Sequence, residues 1–177
     1  GFGFYNPFEH LASLAGNHHN SAYFRQMIDQ QIAEALDQTQ PFPGVVPFIQ
    51  EAYRLNIPMA VASSSERSWV SGQLKRVGLL DSFSRVITAD DVSQVKPDPE
   101  LYMAAARSLK LQPAECIAFE DSLNGIKSAK AAGIYCIAIP NEITIEMPLQ
   151  MADQIVHSFS DLQIQDLLAL TINTNIV

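Results

Sequence analysis

Residues 116–133 read CIAFEDSLNGIKSAKAAG, and the rest of the chain can be placed from them. Cys116–Glu120 is a short apolar run of the kind that forms a buried strand. It ends on two adjacent acids, Glu120 and Asp121. Asp121 or Ser122 can then cap a helix over residues 122–132, which Gly133 closes. Ile134–Ile139 returns as a second apolar strand. Strand, helix and strand at this spacing predict a parallel crossover.

Working back from this unit, the alternation repeats. Residues 44–55 read as a helix, Ile57–Ala62 as a short buried strand and residues 66–77 as an amphipathic helix closed by Gly78. Arg85–Thr88 reads as a strand, and Asp98 can cap a helix over 99–109. Working forward, Ile155–His157 is a last short strand and 160–170 a final helix. The prediction is an α/β fold: a parallel sheet with helices on both faces. Residues 1–41 differ. Apolar positions at Phe24, Met27, Ile28, Ile32, Ala35 and Leu36 follow helical spacing, with Ser21 as N-cap. Pro41 and Pro43 break that pattern, so we divide the chain into residues 1–41 and 42–177.

The chain has 177 residues, with 11 basic and 19 acidic side chains and a net charge of −8. That balance argues against nucleic acid or an anionic membrane as partner. No apolar run is long enough to span a bilayer, and the opening GFGFYNPFEHL lacks the form of a signal peptide. Cys116 and Cys136 both sit in apolar runs and read as reduced thiols, which points to the cytoplasm. None of the four histidines has zinc-site spacing. His18 and His19 read as part of a solvated turn.

Ligands of such sheets bind beyond the carboxyl ends of the strands. Three polar groups stand there. Ser63–Ser64–Ser65 follows the strand 57–62 and can form an anion site at the start of the next helix, or simply cap it. Lys96, in VKPDPELY, precedes a turn stiffened by Pro97 and Pro99 and can meet a phosphate oxygen. Glu120 and Asp121 repel each other at a cost that a cation would relieve, and carboxylate oxygens suit Mg²⁺. Lys96 comes 33 residues after Ser63, and Glu120 24 residues after Lys96. Together they describe a site for a phosphate monoester and a divalent metal.

The set VASSS, VKPDPELY and FEDSLNGIKSAKAAG resembles the haloacid dehalogenase-like superfamily, most of all its β-phosphoglucomutase-like phosphatase branch. The resemblance implies a Rossmann-like core over residues 42–177 and a partial helical cap over 1–41. It implies that the Ser63 hydroxyl and the Ser64 backbone N–H bind the transferring phosphoryl group. It implies that Lys96 neutralises phosphate charge and steadies the nucleophile, and that Glu120 and Asp121 hold Mg²⁺. Ser63 and Lys96 are thus the candidate catalytic residues. Caps of this kind contact the leaving group, and Asn6, Glu9, His10 and Arg25 are the polar candidates there.

One family motif has no counterpart. The family's nucleophile and acid/base lie in Asp-x-Asp-Gly-(Thr or Val), and this chain has no Asp-x-Asp. The resemblance places that motif at the end of the first core strand, ahead of the cap. We therefore expect the first core strand to be absent from this chain, strands 57–62 and 116–120 to face each other across a gap, and the chain alone to be inactive. The expected function of the parent protein is an Mg²⁺-dependent phosphatase of small phosphorylated metabolites, sugar phosphates above all, acting as a monomer. The alternatives are a β-phosphoglucomutase-type phosphotransferase and a non-catalytic binding or regulatory protein. A receiver domain would place its acids first, and a metal-free dehalogenase would not need paired acids.

Overall fold

Alternating side chains on two paired strands determine how the layers form. The computed structural model describes residues 6–16, 19–37 and 39–173. β3 (Ile117–Glu120) and β4 (Tyr135–Ala138) pair in parallel, Ile117 opposite Tyr135 and Glu120 opposite Ala138. Successive residues of a strand point to opposite faces. Ala118, Cys136 and Ala138 face one core, with Tyr102, Ile126 and Ala129. Ile117, Phe119 and Ile137 face another, with Phe48, Leu162 and Leu167. Helices α5 (Glu100–Leu109) and α6 (Leu123–Ala131) supply the first face, and α3 (Val45–Arg54) and α7 (Ile164–Asn173) the second. Helices therefore cover both faces of a parallel sheet, as the alternation predicts.

The second face is built on rings. Phe48, Phe119 and Phe159 form a triangle with centroids 5.3 Å apart on every side. Such pairs add stability beyond the area they bury. Gly44, at φ 84, lies so close to Phe159 and Ser160 that a Cβ there would strike their backbone. Only glycine lets the start of α3 approach that closely.

The strands do not make one sheet. β1 (Ala60–Ala62) pairs in parallel only with β2 (Arg85–Ile87). β3, β4 and β5 (Gln154–Ile155) form the other sheet. Among the described residues no strand lies between β1 and β3. A cavity of about 990 Å³ lies there, lined by residues 57–63 on one side and 115–121 on the other. This is the gap expected between strands 57–62 and 116–120.

Element ends differ in places. Ile57–Ala62 is strand only from Ala60, because Pro58 offers no N–H and β2 reaches back only as far as Ala60. The last strand is Gln154–Ile155, fixed by Asp153 N–H on Cys136 O and Val156 N–H on Ala138 O. The final helix starts at Ile164, not 160. Ser158 accepts from Ser160 N–H and closes a separate 3-10 turn over Phe159–Asp161, and Leu162 is extended.

The chain divides into Gly1–Gln40 and Pro41–Val177. The first unit holds α1 (Pro7–Leu14) and α2 (Ser21–Asp37). Ser21 is not the cap of α2. The Asn20 side chain accepts from Tyr23 N–H at 2.9 Å, so the cap stands one residue earlier. His19 stacks on Tyr23 at 3.9 Å, and His18 lies outside the described residues. Among the described residues no helix is long and apolar enough to cross a membrane. Helix α4 (Arg67–Arg76) ends before Gly78, at φ 71, as expected.

Candidate functional site

The cavity between the sheets carries polar residues at the carboxyl ends of its strands. Ser63, Lys96, Glu120 and Asp121 all line it. Ser63 follows β1, and its hydroxyl accepts from Ser65 N–H at 3.2 Å. Ser64 is exposed. The three serines do not cap α4, whose N-cap position is Glu66. Nor is the start of that helix left open for an anion. Asp90 accepts from Arg67 N–H at 2.9 Å, and Arg67 pairs with Asp91 at 2.5 Å. The anion-site argument from the helix end is corrected accordingly, since a carboxylate of the chain already sits there.

Lys96 and Glu120 form an ion pair whose side chains are 14% and 5% exposed. The Tyr102 hydroxyl donates to the same Glu120 oxygen, Oε1, at 2.5 Å. Lys96 Nζ also lies 4.7 Å from the centre of the Tyr102 ring. Burial, and then the nearby Glu120 charge, hold the Tyr102 hydroxyl well above its usual pKa, so it remains a donor. On the other side, Ser122 Oγ contacts Glu120 Oε2 at 3.3 Å. A Cβ on Gly125 would overlap the Glu120 carboxyl. The first turn of α6 thus carries a glycine where the acid lies across it.

Asp121 is exposed, one residue past the strand. Asn141 Nδ2 donates to its Oδ2 at 2.9 Å. Asn141 Oδ1 accepts from Ile143 N–H and Thr144 N–H, which fixes the amide's orientation. The two acids are thus not an unrelieved pair. Lys96 already balances Glu120, which corrects the argument that their repulsion alone calls for a metal.

In the first unit, Asn6 is the N-cap of α1, its Oδ1 accepting from Phe8 N–H and Glu9 N–H. Arg25 lies over the Phe8 ring at 5.3 Å. Glu9 and His10 are exposed, and the His10 carbonyl accepts from the Ser13 hydroxyl. Asn6 and Arg25 have these structural tasks within their own unit.

Residues 4–139 match the haloacid dehalogenase-like hydrolases. The chain belongs to that family. YhcW of Bacillus subtilis (strain 168), which its name provisionally calls a phosphatase, is 40% identical over 164 residues, 93% of this chain and 74% of that protein. The validoxylamine A 7'-phosphate phosphatase of Streptomyces hygroscopicus subsp. limoneus is 33% identical over 74% of this chain and 61% of its own length. Among solved structures, a mutant of CbbY from Rhodobacter sphaeroides in complex with xylulose-(1,5)bisphosphate superimposes with a TM-score of 0.72 at 29% identity. That match covers 82% of this chain and 67% of CbbY.

The family implies Mg²⁺, and the donor chemistry here fits it in kind. Mg²⁺ takes one or two carboxylates and completes its shell with water and substrate phosphate. Asp121 offers an exposed carboxylate with one oxygen steadied by Asn141. Glu120 has Oε1 committed to Tyr102 and Lys96, so it suits a place behind Asp121. Among the described residues no three His, Cys, Asp or Glu converge.

Tyr102, Asn141 and Gly125 were not singled out from the sequence. A signal for Tyr102 existed. It lies in the buried stripe Leu101, Tyr102, Ala105 and Ala106 of α5, and a buried tyrosine hydroxyl needs a partner. Asn141 had none, because its turn is defined only once the chain is folded.

Proposed function

We propose that the parent protein is an Mg²⁺-dependent phosphatase of small phosphorylated metabolites, with sugar phosphates as the substrate class. The observation that carries this is the convergence of Ser63, Lys96, Glu120 and Asp121 on one cavity. Phosphoryl transfer is driven by positioning and charge neutralisation. Lys96 and the Ser63 hydroxyl supply donors for phosphate oxygens, with the Ser64 N–H beside them. Asp121, backed by Glu120, would hold the metal, which supplies charge neutralisation when bound. The phosphatase name of the Streptomyces relative and the sugar bisphosphate bound to CbbY support the substrate class. The two free thiols support a cytoplasmic setting, and we propose a monomer.

The phosphoryl acceptor in this reading is an aspartate of an Asp-x-Asp motif, and these 177 residues contain none. The chain by itself is therefore proposed to bind phosphate without turnover. The test uses the purified 177-residue chain with Mg²⁺. Calorimetry should show orthophosphate binding that Lys96→Ala abolishes, and p-nitrophenyl phosphate should not be hydrolysed. Turnover above background would overturn the inactivity, and absence of phosphate binding would overturn the site. In the parent protein, β-glucose 1-phosphate with a bisphosphate primer separates the phosphatase from the phosphotransferase reading.

A further inference from the structure

The Lys96 ammonium group has three donors. One goes to Glu120 and a second lies 3.5 Å from the Tyr102 hydroxyl oxygen. The third has no partner among the described residues, and Lys96 lines the cavity. Tyr102 therefore works on the pair in three ways. Its hydroxyl donates to Glu120 Oε1, its oxygen receives Lys96, and its ring lies beside the ammonium. Tyr102 is 8% exposed and packed in the core with Ile126 and Ala129, so the ring cannot follow the lysine if the lysine moves. The Glu120 carboxyl is equally confined, because Gly125 and Ser122 close its other side. A long flexible lysine normally spends rotamer entropy to make each contact. Here two fixed groups already define where its head lies.

We propose that Tyr102 is a positioning residue, which holds Glu120 and Lys96 as one fixed unit and leaves the third Lys96 N–H for a phosphate oxygen. The phosphate part rests on the function proposed above. The positioning part does not.

The test reads the two parts separately in the 177-residue chain. ¹⁵N NMR of the lysine ammonium groups reports Lys96 without any ligand, and calorimetry with orthophosphate and Mg²⁺ reports the donor. In wild type the Lys96 ammonium is expected to give a sharp, slowly exchanging signal, and its absence overturns the proposal. Tyr102→Phe keeps the ring but removes the hydroxyl. It is expected to broaden that signal away and to weaken orthophosphate by about tenfold, the size of one hydrogen bond to a charged group. Asp153→Asn loses an ion pair elsewhere and should change neither readout. A sharp Lys96 signal in Tyr102→Phe overturns the proposal. So does an equal loss of phosphate affinity in Asp153→Asn, which would mark a general structural effect. If orthophosphate does not bind wild type, the functional reading falls, and the ammonium signal still decides the positioning. Should Tyr102→Phe fail to fold, Glu120→Gln attacks the same unit from its other side. It too must broaden the Lys96 signal, and a sharp one overturns the proposal.

Discussion

Gly125 shows how much depends on a single missing methyl. The Glu120 carboxyl lies where a Cβ of residue 125 would be. Gly125→Ala must push a buried, hydrogen-bonded acid off Tyr102 and Lys96. We expect a loss of about 1–3 kcal/mol, the usual cost of overpacking. Urea unfolding measures it, and a variant with the wild-type midpoint would show that the acid has room to move. Asp153 makes a second case, through charge. Burial raises its pKa, but Lys130, at 2.6 Å from both oxygens, and the Cys136 N–H outweigh that and hold it below the ordinary value. A depressed carboxyl stabilises the fold fully above its unfolded pKa of about 3.9 and loses that contribution as pH falls through the folded value. Melting temperatures should therefore fall below about pH 4, and Asp153→Asn should flatten that acid limb. Identical acid limbs in both proteins would refute the assignment.

At the scale of elements, the start of α6 joins fold and site. Ser122 Oγ accepts from Gly125 N–H at 3.1 Å and also touches Glu120. Ser122→Ala removes the cap and should cost about 1 kcal/mol, measured by chemical denaturation. The crossover β3–α6–β4 was legible from residues 116–139, since an apolar run, a cap, a helix stop and a second apolar run are all local signals. The end of the chain was less legible. The polar stretch from Ser158 to Asp161 can start a helix or make a separate turn. Ser158 Oγ decides it, by accepting from Ser160 N–H and donating to Pro43 O across 115 residues of sequence. The same limit applies to Ser63–Ser65. Their neighbour in sequence is α4, yet the group that meets the start of α4 is Asp90, which only the pairing of β1 with β2 brings there.

At the scale of the whole molecule, the divided sheet is the main feature of the Pro41–Val177 unit. The cavity of about 990 Å³ between β1 and β3 is lined mostly by apolar side chains, including Phe48, Ile57, Ala118 and Leu167. Apolar surface of this extent on a protein binds apolar ligands. The folded chain should therefore enhance the fluorescence of anilinonaphthalene sulfonate under native conditions. The enhancement should disappear on unfolding in urea. A chain that gives no native-state enhancement would mean that the two sheets close on each other in solution.

The sequence by itself determined the parallel α/β alternation, the residues that meet at its carboxyl edge and the absence of an Asp-x-Asp pair. These are carried by local periodicity, by caps and by the order of short motifs. Tertiary structure alone decided which charge balances which. Adjacent acids on a strand end read as a repelling pair, but pleating and the packing of α5 give Glu120 to Lys96 and Tyr102 and leave Asp121 to Asn141. The lysine stands 24 residues from its partner and the asparagine 20 from its own. Contacts over such separations depend on how strands and helices are stacked, and spacing along the chain does not encode them.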